Sequence, residues 1–227
     1  RIAPKFGQHV LPVACLALAI AFAVPGWLQV PAMFALAMVF VGSTNGFLDV
    51  TMNARVSAIE ADTGLHLMNL NHAAYSFGYA GSAILTGVAR DAGWPPGEVL
   101  TVTGVIVALC VPLAIERGHG VNGFARSVKE SGGLGMLPVW GGLIAMIAFM
   151  AENSSENWSA LHIERTLGGS KHEGSFGPAV LALTMGIGRT FGQVVVAHVD
   201  EGKMMRWGAI IAALLAGPSL YLTRVGR

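Results

Sequence analysis

Asn45, Asp49 and Asn53 recur every four residues, a spacing that stacks them along one face of a helix. An acid with an amide one turn to either side could exchange a proton or hold a hydroxyl-bearing solute by hydrogen bonds. His72, Ser76 and Tyr79 form a second set near one helix face, beside Asn69 and Asn71. A histidine there commonly only donates and accepts hydrogen bonds, but its ring also titrates near neutral pH and so could move protons. In the third set, Glu152 and Glu156 lie one turn apart, as do Asn153 and Asn157. Two carboxylates at that spacing resemble an acid/base pair. No nucleophile, metal-ligand cluster or phosphate-binding loop accompanies them, which leaves an enzyme reading little support. Farther on stand Arg189, in a glycine-rich helical stretch, and Asp200, which opens the short turn Asp200-Glu201-Gly202-Lys203.

The elements that must carry these groups are apolar. Of 227 residues, 53% are hydrophobic and 12% charged, whereas soluble domains carry about 25% charged residues. Lipid must therefore be the solvent for much of the surface. A helix crossing the hydrocarbon needs about 20 mostly apolar residues. Seven stretches meet that pattern, near 10–24, 31–48, 72–89, 99–114, 134–151, 178–197 and 207–222. None alternates apolar with polar residues as a membrane barrel strand does. The fold expected is an all-α integral membrane bundle of about seven transmembrane helices.

A charge in the middle of a span costs about 2.5–3.5 kcal/mol on insertion scales and marks a functional site by default. The second helix, read as continuing to about Ala61, would be about 46 Å long, with Asp49 about 27 Å along it. Asp49 is then either a headgroup-level charge reaching for water or a group in a polar cavity. A short side chain snorkels poorly, which favours the cavity. Gly42 and Gly46, also four apart, would let a neighbouring backbone approach closely. Trp158 suits the headgroup level, which puts Glu152 about 9 Å deeper. Its acids then face a wet cavity unless the helix has already left the bilayer.

Lys and Arg in the connections set the orientation. With the N-terminus in the cytoplasm, Arg1, Lys5, Arg55, Arg117, Arg126, Lys129, Arg189, Lys203 and Arg206 lie inside, and Arg90, Arg165, Lys171, Arg224 and Arg227 outside. The stretch 116–133, rich in Gly and charge, reads as a flexible connection. It divides the chain into 1–115 with four spans and 134–227 with three. The net charge of +1 points to no nucleic-acid partner. Cys15 and Cys110 sit in apolar runs and suggest neither a disulfide framework nor a metal site. A first residue of Arg1, rather than Met, hints at a portion of something longer.

Three stretches carry a family resemblance: Gly46-Phe-Leu-Asp49-Val-Thr-Met-Asn53, Leu67-Met-Asn69-Leu-Asn71-His72-Ala-Ala-Tyr75-Ser76-Phe-Gly78, and Glu152 to Leu167 with Leu183-Thr184-Met-Gly186-Ile-Gly188-Arg189-Thr-Phe-Gly192. They resemble the major facilitator superfamily, in particular the bacterial branch similar to the fucose–proton symporters. The resemblance implies that the seven spans are helices three to nine of twelve, with 116–133 the cytoplasmic linker between two halves. It implies a symporter-like carrier in the inner (cytoplasmic) membrane that works by alternating access. Its solute would be small and polar, of the sugar or organic acid class, with coupling to protons left open and no cofactor or metal. Asp49, Asn45, Asn53, His72, Ser76, Glu152, Asn153 and Asn157 would then face the solute or proton site. Arg189 and Asp200 would belong to a cytoplasmic gate. The acid is Asp49 where the symporters have Glu, one methylene longer.

Three rival readings remain. A non-transporting receptor or scaffold with a transporter fold would bind ligand without flux. A membrane enzyme would need His72, His162 and Glu156 to converge on a metal. A channel would be lined by rings of charge, which sparse acids on long apolar helices fit poorly.

Overall fold

The structure, a computed structural model, describes residues 9–115, 135–196 and 198–225. The expected connection 116–133 lies outside them. In chain order the helices are α1 (Val10–Ala23), α2 (Pro31–Thr63), α3 (Met68–Asp91), α4 (Pro96–Cys110), α5 (Leu137–Leu161), α6 (Lys171–Gly174), α7 (Phe176–Val196) and α8 (Glu201–Val225). Seven are long and one is a single turn, and there is no strand among the described residues. The seven expected spans each fall on one long helix. The protein is an all-helical membrane bundle.

Local chemistry sets the ends. Pro31 begins α2, where its missing N–H costs nothing. Gly64 ends it at φ +71°, a left-handed cap donating its N–H to the Glu60 carbonyl over 2.8 Å. The Glu60 carboxylate then accepts the Leu67 and Met68 N–H groups, the latter at 2.7 Å. Those donors open α3 and have no partner within the helix. One acid thus joins the end of α2 to the start of α3. Helix α5 runs to Leu161, ten residues beyond the apolar stretch, and finishes in a wide π-turn at His162–Thr166. Along its polar tail Asn153, Ser155 and Asn157 each donate to the carbonyl four residues earlier, so these side chains are satisfied on their own helix.

Packing is inverted relative to a water-soluble bundle. Large apolar side chains face outward; Leu109 is 75% exposed and Leu36 73%. The buried polar residues Thr44, Thr51, Ser76 and Ser175 all donate to carbonyls of their own helical turns. Such internal pairing is what oil demands of polar groups. Among the described residues, three segments, Val10–Trp27, Pro31–Thr63 and Pro96–Ala114, each contain a stretch long and apolar enough to cross a membrane. The polar residues of interest sit on α2 and on the more mixed helices α3, α5 and α7.

Helix α1 packs on α2 and α4, and α3 packs on α7, the most extensive helix pair among the described residues. Close approach depends on missing side chains. A Cβ at Gly104 of α4 would come within 2.6 Å of the Ala19 carbonyl oxygen, and one at Gly186 of α7 within 3.0 Å of the Phe77 ring. Gly42 and Gly46 do not act as expected, since a Cβ at either would meet nothing within 4 Å among the described residues. Their face of α2 is the exposed one, and the approach they would permit is made by glycines on other helices.

Candidate solute site

On α2, the Asn53 amide nitrogen donates to Asp49 Oδ1 over 3.1 Å. Asp49 and Asn45 are exposed and Asn53 is half-buried, with its amide oxygen shielded and unpaired. The four-residue spacing therefore yields one internal bond, between acid and amide, and leaves the rest of the Asp49 carboxylate open.

Helix α3 contributes two aromatic groups. The rings of Tyr75 and Tyr79, one turn apart, have centroids 6.3 Å apart and planes tilted by 32°. The Tyr75 phenol lies in the electrostatic field of Glu156, Glu152, Arg189 and Asp49. Tyr79 feels Glu156, which in turn feels Glu152 and Arg189. Charged groups of α2, α5 and α7 thus act electrostatically on Tyr75, and Glu156 of α5 on both tyrosines.

Arg189 of α7 crosses to α3. Its Nη1 donates to Ser76 Oγ over 2.6 Å and to the His72 carbonyl over 3.2 Å. Ser76 is 2% exposed and donates its own proton to the same carbonyl. Its hydroxyl is thus used in both directions. Nearby, Gln193 donates its amide to the His66 carbonyl, a second tie between α7 and the start of α3.

The expected residues differ in what they meet. Asp49, Glu152 and Arg189 each act electrostatically on the Tyr75 phenol, Asp49 the most weakly. His72 and Ser76 meet Arg189, the former through its backbone carbonyl. Asn153 and Asn157 bond back to carbonyls of α5 and are exposed. Asp200 caps α8, its Oδ1 accepting the Lys203 N–H at 3.2 Å, while Arg189 is engaged with α3. Tyr75 and Glu156 are absent from the expected set. The signal for both was their four-residue pairing with Tyr79 and Glu152.

Beyond Tyr79 a cavity of about 270 Å³ opens between α3 and the start of α7, lined by Tyr79, Ser82, Thr86, Arg90 and Ser175. At its far end Arg90 pairs with Glu164, Nη1 to Oε1 at 2.7 Å and Nη2 to Oε2 at 3.0 Å. The hydrogen bond from Arg90 holds the Glu164 carboxyl below the usual carboxylate range; the positive charges of Arg90, Lys171 and Arg165 act in the same direction. Among the described residues, His72, His162 and Glu156 do not form a metal-holding group.

The chain is 26% identical over 191 residues to an uncharacterised MFS-type transporter of Yersinia pestis, covering 82% of this chain and 49% of that protein. It is 25% identical over 191 residues to an uncharacterised transporter of Sinorhizobium fredii, covering 82% and 48%. It is 25% identical over 182 residues to the membrane protein MosC of Rhizobium meliloti, covering 79% and 43%. These likenesses support membership of the major facilitator superfamily. The chain spans about half the length of the curated relatives it matches. Its helices form a partial bundle of the major-facilitator type. No family model matches the chain, and no solved structure matches it.

Proposed function

We propose that the chain is part of a secondary carrier that moves a small polar solute across the cytoplasmic membrane by alternating access, with 1–115 and 134–227 belonging to two halves that rock about the site. One observation carries this reading. Arg189, after the 116–133 connection, donates to Ser76 Oγ over 2.6 Å and to the His72 carbonyl over 3.2 Å before it, and its charge and those of Glu152 and Glu156 act on Tyr75 one turn from His72. Acids and a guanidinium within membrane-spanning helices are costly unless they face a wet cavity. Sites between the halves near the bilayer midplane are where carriers of this architecture hold their solutes.

Composition narrows the solute. Three carboxylates stand against one guanidinium around the tyrosine pair, so a free organic anion would meet net repulsion. Within the sugar or organic acid class, a neutral polyol such as a sugar is the better match. Its hydroxyls would donate to Asp49 and Glu152 and its ring face would lie on tyrosine. Asp49 would also serve as the proton-exchanging group if uptake is proton-coupled, as in the fucose–proton symporter branch.

The test is uptake by the intact protein in proteoliposomes, driven by an imposed pH gradient, with radiolabelled sugars and small organic acids. Coupled uptake of a sugar that falls by about tenfold or more in Asp49→Asn and Glu156→Gln supports the reading, since losing a hydrogen bond to a charged group costs about 1.5–3 kcal/mol. Uptake unchanged in both variants overturns the site. Binding without flux under every gradient overturns the carrier in favour of a receptor.

A further inference from the structure

The Thr86 hydroxyl, in the wall of the cavity beside Tyr79, makes no hydrogen bond among the described residues. Hydroxyls elsewhere on the long helices, such as Thr44, Thr51, Thr103 and Thr184, donate to carbonyls of their own turns. That is how a hydroxyl is satisfied where no water reaches it. Two other hydroxyls of the cavity follow the same pattern. Ser82 donates to the Tyr79 carbonyl over 2.9 Å and Ser175 to the His172 carbonyl over 2.6 Å. Their oxygens keep lone pairs that can accept, while Thr86 keeps its proton to donate.

Charge in this cavity is balanced. Arg90 of its wall is matched by Glu164 through arms of 2.7 and 3.0 Å. Those arms use only some of the guanidinium N–H groups, and the rest can donate. A charged solute would find no uncompensated opposite charge here and would lose hydration without return. The remaining wall is apolar, made by the Tyr79 ring with Ala83, Ala160 and Pro178. Ser175, 5% exposed, lies against Gly87, where a Cβ would come 2.3 Å from its Oγ. The volume of about 270 Å³ falls near the low end of the range for ligand pockets, about 300–1,000 Å³, and suits one small molecule. Donors at Thr86 and Arg90 with acceptors at Ser82 and Ser175 complement adjacent hydroxyls, each of which both donates and accepts. A C–H face of the same molecule would lie on the Tyr79 ring.

The cavity is set apart from the groups near Asp49. Thr86 lies about 16 Å along α3 from Tyr75 by helical rise. Between these levels α7 presses on α3 at Phe77, where a Cβ at Gly186 would come 3.0 Å from the ring. We propose that the cavity lined by Ser82, Thr86 and Ser175 is a second binding site, for a neutral polyhydroxy solute such as a monosaccharide. The proposal rests on the carrier reading for the class of solute, but the site itself depends neither on Asp49 nor on flux.

Protection of a cysteine in the cavity wall tests the site. In the intact detergent-solubilised protein, native cysteines, Cys15 and Cys110 among them, are replaced by serine and Ala83→Cys is the reporter. Its labelling by N-ethylmaleimide is timed while D-glucose, D-galactose or D-xylose is titrated in, with D-galacturonate and D-glucosamine as charged counterparts. At least one neutral sugar should slow labelling saturably, and the charged counterparts should do so more weakly. Thr86→Val, which keeps the shape and removes the donor, should raise the half-protecting concentration about three- to tenfold. Thr86→Ser should restore it, and Asp49→Asn should leave it within about twofold of the parent. No slowing by any of the three neutral sugars overturns the second site, even where the protein takes up sugar in proteoliposomes. Slowing that Thr86→Val leaves unchanged, or that Asp49→Asn abolishes, also overturns it, because the reporter would then be sensing occupancy elsewhere. Slowing that depends on Thr86 in a protein that moves none of these sugars supports the second site and counts against the carrier reading.

Discussion

Arg189 Nη1 donates to Ser76 Oγ over 2.6 Å, joining α7 to a serine on α3 that is 2% exposed. The same nitrogen reaches the His72 carbonyl, and the guanidinium lies in the field of Glu156 and Tyr75. One side chain therefore ties the largest helix pair together and offsets part of the negative charge beside it.

Replacing Arg189 with Gln should consequently lower stability as well as function. A hydrogen bond from a charged group contributes about 1.5–3 kcal/mol, and Arg189→Gln should cost about that much in thermal or denaturant unfolding of the detergent-solubilised protein. Arg189→Lys keeps the charge but not the fork and should recover only part. A melting temperature for Arg189→Gln within a degree of the parent would refute the tie.

Glycine substitutions should separate helix contacts from open faces. Gly104→Ala places a methyl 2.6 Å from the Ala19 carbonyl oxygen. Backbone cannot swing aside, so this change should destabilise by about 1–3 kcal/mol. Gly42→Ala, with nothing within 4 Å, should be neutral or slightly stabilising, because alanine is the better helix former. Equal effects from the two changes would show that α1 and α4 do not meet at Gly104.

Much of the helical frame is legible in the amino acids, and the pairings between helices are not. Runs of about 20 apolar residues with Pro31 or Gly64 at their ends suffice to locate helices, because each end is a local event. The true end of α5 is less evident. Its polar tail looks like an exit from the membrane, yet the helix continues to Leu161 with Asn153 and Asn157 satisfied on their own turns. That Asp49, Glu152 and Arg189 are worth singling out follows from their cost in lipid. The partners of Arg90 and Arg189 are another matter. They lie 74 and 113 residues away, and spacing within one helix carries no information about which residue of a distant helix lies opposite.

The Arg90–Glu164 pair should respond to acid in one direction only. Arg90 holds the folded-state carboxyl of Glu164 below its ordinary value, so the stabilisation is fully present above the unfolded pKa of about 4.3. It is lost as pH falls through the depressed folded value. Thermal stability attributable to the pair, measured as parent minus Glu164→Gln, should be flat from about pH 8 to pH 6 and shrink in acid below about pH 4. A difference that grows on acidification would reverse the sign and remove the ion pair as its source.

Two acids on α2 offer the sharpest contrast between structure and function. Glu60 accepts the Leu67 and Met68 N–H groups, donors that open α3 and have no helical partner. Glu60→Ala should therefore cost about 1–2 kcal/mol of stability, as the loss of a helix cap does, while the protein that remains folded transports at the parent rate. Asp49 is exposed, and it accepts a hydrogen bond from the Asn53 amide on the same helix. Asp49→Asn should leave stability within about 0.5 kcal/mol of the parent and abolish most solute uptake. Paired melts and uptake assays on the two variants decide the matter. If Asp49→Asn unfolds the protein or Glu60→Ala stops uptake in fully folded carrier, the division of roles along α2 is wrong, and with it the assignment of Asp49 to the solute site.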